Sequence, residues 1–174
     1  LTKKLLHSGA TINEINVIRK HISQVKGGRL AQLLYPATVE GFVISDVVGN
    51  DLSTIASGPL TPDPSTFRDA VKILKKYRIT SPLSIRRYLG KGLRDNSLET
   101  PKRGNPCFAK VRQEIIADHN TVTELAAEAA GRCKIPFYSM AKALTGEAKN
   151  AGPLFVKNAS SKKLTIASGE TTVT

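Results

Sequence analysis

The sequence predicts an α/β fold with a largely parallel sheet flanked by helices and incomplete at both ends. Three observations point there. Segments with apolar residues at helical spacing alternate with short β-branched runs, the rhythm of strand–helix–strand units. The 174 residues are 40% hydrophobic and 23% charged, ordinary globular values that argue against disorder. The chain starts at Leu1 without a methionine, and its last run, Thr171-Thr172-Val173-Thr174, reads as a strand cut in the middle. An internal piece of a longer protein is therefore expected.

The elements follow in order. Thr2 to His7 reads as the end of a helix closed by Gly9. Thr11 and Glu14 have the spacing of a capping box, and Ile12, Ile15, Ile18, Ile22 and Val25 then recur at helical spacing. Lys26-Gly27-Gly28 interrupts that helix, and a further helix runs from Arg29 to Leu34 before Pro36. Val39 to Ser45 is a strand, and 46–59 is a loop rich in Gly, Ser and Asp with at most one short helical turn. Phe67, Ala70, Val71, Leu74 and Tyr77 form the apolar stripe of the next helix. Ser81 as N-cap and Pro82 at the first helical position start another, which ends near Leu89. Residues 90–106 read as an exposed loop. Val111 to Ala117 is a strand, and Thr121 with Glu124 opens an Ala-rich helix from Val122 to Arg132. Ile135 to Ala141 is a strand, Gly146 to Val156 a helix interrupted or ended at Pro153, and Lys163 to Ser168 a strand.

Several classes of function are disfavoured. No run approaches the length of a membrane helix, and nothing resembles a signal peptide. Two cysteines, Cys107 and Cys133, make neither a disulfide framework nor a metal motif, so a reducing cytoplasm is the default. No phosphate loop, dinucleotide fingerprint or nucleophile elbow is present, and His7, His21 and His119 lack ligand spacing. The net charge of +12 is concentrated in residues 61–120, with 13 basic and 6 acidic side chains. That region could bind a polyanion, but only Tyr77 and Tyr88 supply aromatics, so a solvated basic face is favoured over a nucleic-acid-binding module. Lys76, off the apolar stripe, reads as one such solvated charge.

The candidate site lies where strands end, because open α/β sheets bind ligands beyond the carboxyl ends of their strands. Asp46 follows the first strand, Asn120 the second, and Ser168-Gly169-Glu170 the last. Asp46 and Asp51 flank Gly49 and can converge on one hard cation such as Mg²⁺. Ser57 and Gly58 offer a hydroxyl and an open backbone. Lys26 beside Gly27 and Gly28 places a cation and two bare amides before a helix, a combination suited to an anion.

Thr11 to Leu30 (TINEINVIRKHISQVKGGRL) and Ser45 to Phe67 (SDVVGNDLSTIASGPLTPDPSTF) closely resemble the class II glycerate kinases. Leu144-Thr145-Gly146-Glu147-Ala148 and Gly169-Glu170-Thr171-Thr172-Val173-Thr174 fit the same family in the same order. The resemblance implies a Rossmann-like domain joined to a C-terminal module named for its MOFRL motif, with residues 1–160 in the former and 161–174 opening the latter. It implies ATP-dependent phosphorylation of D-glycerate to 2-phosphoglycerate, with ATP and Mg²⁺ as partners of the reaction. Relatives also carry the name hydroxypyruvate reductase, so an NAD(P)-dependent reductase is the alternative. The implied roles are Asp46, Asp51 and Lys26 in catalysis, with Asp46 and Asp51 on the metal. Gly27, Gly28, Ser57, Gly58, Asn120 and Glu170 would bind substrate. The family's SGGE appears here as Ala167-Ser168-Gly169-Glu170 and its GDD as Gly49-Asn50-Asp51, while its upstream glycine-rich motif and catalytic lysine are absent, so this chain alone is expected to be inactive.

Overall fold

Thr11 accepts a hydrogen bond from Glu14 N–H, and the Glu14 carboxylate accepts one from Thr11 N–H, so the capping box starts a helix where the spacing predicts it. In the computed structural model, which describes residues 1–173, the helices are α1 (Thr2–His7), α2 (Ile12–Ile22), α3 (Arg29–Leu34), α4 (Phe67–Lys76), α5 (Leu83–Gly92), α6 (His119–Arg132) and α7 (Ala148–Asn158). The strands are β1 (Val39–Ile44), β2 (Val111–Ala117), β3 (Phe137–Ser139), β4 (Leu144–Glu147), β5 (Leu164–Ile166) and β6 (Gly169–Thr172). Thr174, part of the strand expected at the end, lies outside the described residues. The fold is mixed α/β. The strands form three two-stranded sheets among the described residues, β1–β2, β3–β5 and β4–β6, instead of one continuous sheet. β3–β5 and β4–β6 are parallel, as the sequence predicts.

The chain divides into two compact units: Leu1–Gly41 with Leu52–Gln113, and Phe42–Asp51 with Glu114 onward. In the first, α1, α2, α4 and α5 bury Leu5, Ile15, Ile18, Phe67, Ala70, Leu74 and Leu89 in one cluster. Phe67 is its centre, edge-on to the rings of His21 (4.8 Å) and Tyr88 (5.8 Å). Burying a side chain of this size stabilises by about 1.5–3 kcal/mol. α2 stops at Ile22, short of Val25, because Ser23 Oγ accepts from the N–H groups of Val25 and Lys26 and turns the chain. α5 starts one residue later than expected, with Pro82 as its N-cap.

Residues 90–106 depart most from their expected place. α5 continues to Gly92, and Thr100 is 1% exposed. Its hydroxyl donates to Asp63 Oδ2 at 3.0 Å, while Asp63 Oδ1 takes Ser65 Oγ at 2.7 Å and Lys20 Nζ at 3.4 Å. His21, fully buried, sets Nε2 2.9 Å from Glu99 Oε1 and Nδ1 2.8 Å from the Val17 carbonyl. Both contacts are satisfied when each ring nitrogen carries a hydrogen. Burial alone raises the Asp63 carboxyl, but Ser65, Lys20 and His21 together hold it below the usual range. A segment with these partners cannot be an exposed loop.

In the second unit, α6 packs on β3 and β5, and α7 on β4 and β6. The strand expected from Ile135 shrinks to Phe137–Ser139 because Ile135 N–H donates back to the Ala130 carbonyl, closing α6, and Pro136 has no N–H. Gly146 belongs to β4, not to a helix start, since its φ of +84° is foreign to a helix. Pro153 sits inside α7 without ending it, withdrawing only its own N–H. No helix among the described residues is long and apolar enough to cross a membrane.

Candidate active site

The predicted site residues fall into two groups, one in each unit. In the first unit, Lys26-Gly27-Gly28 lies against Ala56-Ser57-Gly58. Gly27 N–H donates to Ser57 O at 3.0 Å, Gly28 N–H to Gly58 O at 2.7 Å, and Lys26 Nζ to Ala56 O at 2.7 Å. The Ser57 hydroxyl donates to Asn16 Oδ1 at 2.8 Å and is buried. The amides expected to stay bare thus lace two turns together. Gly28 has φ +81°, and a Cβ there would meet Phe108, Pro101 and the Thr61 carbonyl. Ala56 and Ser57 hold the left-handed region at φ 51° and 62°, a conformation that costs non-glycine residues energy and is concentrated at functional sites. Burial and the neighbouring Arg19 charge keep the Lys26 ammonium below the ordinary lysine range.

Of the second group, Asp46 and Glu170 line a cavity of about 450 Å³, within the usual range for small-molecule sites. It is lined by Ile44, Ser45, Asp46, Val48, Ala117, Asp118, His119, Val122, Ala167, Ser168, Gly169 and Glu170. The C-terminal ends of β1 and β2 and the segment after β5 therefore open on one space, as the strand-end argument predicts. Asp46 is exposed and Ser45 is buried, its N–H donating to Ala117 O at 2.8 Å. Glu170 is exposed on β6. Asp51 and Asn120 are not among the lining residues. Asn120 sits exposed on α6, with its amide 3.5 Å from Asp118 Oδ2.

Asp118 is the site residue that sequence reasoning missed. Thr121-x-x-Glu124 looks like a capping box, yet α6 starts at His119 with Asp118 as N-cap. Asp118 Oδ1 accepts from Thr121 N–H at 2.9 Å and Thr121 Oγ1 at 3.1 Å, and Oδ2 accepts from Asn50 Nδ2 at 2.6 Å. The Thr121 amide and the Asn50 side chain hold its pKa down at about 2. The signal for finding it was Asp-x-x-Thr directly after a strand. His119, next to it, has a buried Nδ1 without a hydrogen-bond partner in the cavity wall.

Chemically, the cavity offers two exposed carboxylates, Asp46 and Glu170, beside an apolar wall, with hydroxyls from Ser45 and Ser168 nearby. No group of three or more His, Cys, Asp or Glu is arranged to hold a metal among the described residues. Mg²⁺, however, commonly binds through one or two carboxylates and substrate phosphates. Hard oxygen donors of this kind suit that ion.

The family described as "Domain of unknown function (DUF4147)" matches residues 1–90. The chain is 45% identical over 157 residues to a glycerate 2-kinase of Pyrococcus horikoshii, covering 89% of this chain and 34% of that protein. It is 38% identical over 185 aligned residues to a putative hydroxypyruvate reductase of Agrobacterium vitis, covering 99% of this chain and 46% of that one. A crystal structure of glycerate kinase from Thermotoga maritima superimposes with a TM-score of 0.75 at 38% identity, covering 99% of this chain and 41% of that one. The chain thus spans between a third and a half of the length of these relatives.

Proposed function

The chain belongs to the DUF4147 family, and from that premise we propose that it is the segment of a glycerate 2-kinase that presents Asp46 to the substrate hydroxyl, in an ATP-dependent transfer to D-glycerate. The observation that carries the reading is the convergence of Asp46, Ser168 and Glu170 on one cavity at the strand ends. Phosphoryl transfer depends chiefly on positioning and charge neutralisation. Asp46, exposed at the cavity, accepts a hydrogen bond from the 2-hydroxyl and takes its proton as that oxygen bonds to the γ-phosphorus, whose bond to the β-phosphate oxygen breaks to release ADP. Ser168 and Glu170 orient the hydroxyl groups of glycerate. Asp46 is also the carboxylate that would hold Mg²⁺, with Asp51 as the second donor predicted on the same loop. The ion, when bound, neutralises phosphate charge. Lys26 supplies a cation of lowered basicity on its own turn. Gly27, Gly28, Ser57 and Gly58 shape that turn, since the two glycine amides already donate to the Ser57 and Gly58 carbonyls and the Ser57 hydroxyl to Asn16 Oδ1.

In this reading residues 1–160 belong to the Rossmann-like kinase domain, 161–174 open the MOFRL-type module, and the protein works in the cytoplasm. The experiment is a coupled ADP-release assay with D-glycerate on the full-length protein that carries this chain, run beside this chain alone. Glycerate-dependent release from the former and none from the latter is expected. The Agrobacterium vitis name motivates one control, NADH oxidation with hydroxypyruvate. Turnover there without ADP release would replace the kinase by a reductase.

A further inference from the structure

Asp46 projects from a loop with two anchors, and both attach to consecutive residues of one junction. Before it, Ser45 N–H donates to the Ala117 carbonyl at 2.8 Å. After it, Asn50 Nδ2 donates to Asp118 Oδ2 at 2.6 Å. Between them Asn50 N–H closes a turn on the Val47 carbonyl at 3.0 Å, with Gly49 at φ +89° and Asn50 at φ +56°. Asn tolerates that left-handed backbone better than most side chains. Its amide must point its nitrogen at Asp118, because a carboxylate only accepts hydrogen bonds. The other end of the amide, Oδ1, is buried without a partner, an arrangement that costs free energy. A left-handed residue and an orphaned oxygen are therefore retained together with one short, charge-assisted bond.

We infer that Asn50 and Asp118 are positioning residues for Asp46: their hydrogen bond fastens the Asp46 loop to the start of α6 and sets where that carboxylate stands in the cavity. The inference rests on the kinase reading of Asp46 given above. The two aspartates of the cavity divide the work. Asp118 accepts from Thr121 and Asn50 and stays ionised, so it holds the loop and takes no proton from substrate. Asp46 keeps its carboxylate at the cavity surface.

The test uses the full-length protein that carries this chain, with Asn50→Gly, Asp118→Ser, Asp46→Asn and the Asn50→Gly/Asp46→Asn pair. Glycine removes the amide and accepts the φ of position 50. Serine keeps an N-cap on α6 but is too short to reach Asn50. Both single changes should lower kcat by about 10- to 10²-fold, the effect of misplacing a reacting group. The KM values for D-glycerate and ATP should hold, and amide hydrogen exchange should speed up at residues 45–50 only. In the Asp46→Asn background Asn50→Gly should add nothing, since its effect passes through the lost carboxylate. Wild-type kcat in Asn50→Gly overturns the inference, as does a loss that remains undiminished in the double variant. Failure of the kinase reading looks different: no glycerate-dependent ADP release from the wild-type protein, which overturns both.

Discussion

The two units bury their side chains in opposite ways. The first encloses Phe67 and six other apolar residues, together with ion-paired and hydrogen-bonded groups around His21, Asp63 and Thr100, three residues each at most 1% exposed. Among the described residues of the second, the buried apolar side chains are those of small Ala130 and Ala151 and of Ile166. Several of its large apolar side chains are open: Ile44 at 73%, Val156 at 70%, Phe42 at 68% and Val122 at 61% exposed. Stability in the first unit comes from core packing and satisfied polar groups. The second derives its geometry from strand ends and one capped helix, and it carries the cavity. Substitutions in the first should act mainly on folding, and those at the cavity mainly on turnover.

Asp46→Asn should give the largest effect and the cleanest support for that division. Removing a positioned charge from a transfer site costs on the order of 10²-fold or more in kcat. Thermal unfolding should move little, because Asp46 is an exposed residue. Steady-state kinetics on the full-length protein that carries this chain checks the first statement and calorimetry the second. Turnover near wild type would take Asp46 out of the mechanism.

Gly28→Ala is the counterpart in the first unit. At φ +81° a Cβ would stand 2.7 Å from Phe108 Cζ and 3.0 Å from the Thr61 carbonyl. Overpacking of this kind costs about 1–3 kcal/mol, and the left-handed backbone adds to it. Urea unfolding should show the loss. A stable variant with poor phosphate-ligand affinity would instead return Gly28 to the anion site that its sequence context suggests.

Acid provides one probe for both units. Glu14 in the first and Asp118 in the second each have a pKa of about 2. For Glu14 the Lys76 ammonium and Tyr77 hydroxyl are the main causes, and for Asp118 the Thr121 amide and Asn50. A folded pKa below the unfolded one means the stabilisation is complete above the unfolded value, about 4 for either carboxyl. It fades as pH falls from there through about 2. NMR titration of the two carboxyls should show both midpoints near 2 in the wild type. Asn50→Gly should raise the Asp118 midpoint and leave that of Glu14 in place. A shift in both would mean that the units do not respond separately.

Much of this was legible in local sequence, and what was not has one cause. The capping box at Thr11, the helix from Arg29 and the strands leading to Asp46 and Asp118 follow from spacings within a few residues. The burial of Thr100 was hidden because its partner Asp63 lies 37 residues away. Gly27 and Gly28 read as free donors because their acceptors, Ser57 and Gly58, are 30 residues on. Lys76 is largely solvated, as its place off the apolar stripe implies, but its pairing with Glu14 Oε1 at 2.7 Å was hidden because that residue lies 62 residues away. Asp118 was masked differently: Thr121 and Glu124 form an equally good local signal three residues downstream, and only the strand-to-helix junction selects between them.

Asn120→Ala should have the smallest effect, and it sharpens where the cavity ends. Sequence reasoning places Asn120 in the substrate site because it follows β2. In the structure it is one residue beyond the lining pair Asp118 and His119, exposed, and its side-chain contact with Asp118 is long at 3.5 Å, while its backbone N–H, which an alanine keeps, also bonds that carboxylate. A contact of that length contributes little. The Asp118 carboxylate retains its bonds from Thr121 and Asn50 whichever residue stands at 120. Turnover and KM for D-glycerate should therefore stay within a few-fold of wild type, and stability within about 0.5 kcal/mol, the usual range for surface changes. A selective rise in KM for D-glycerate, with kcat and unfolding unchanged, would extend the binding site along the first turn of α6 and restore Asn120 to it.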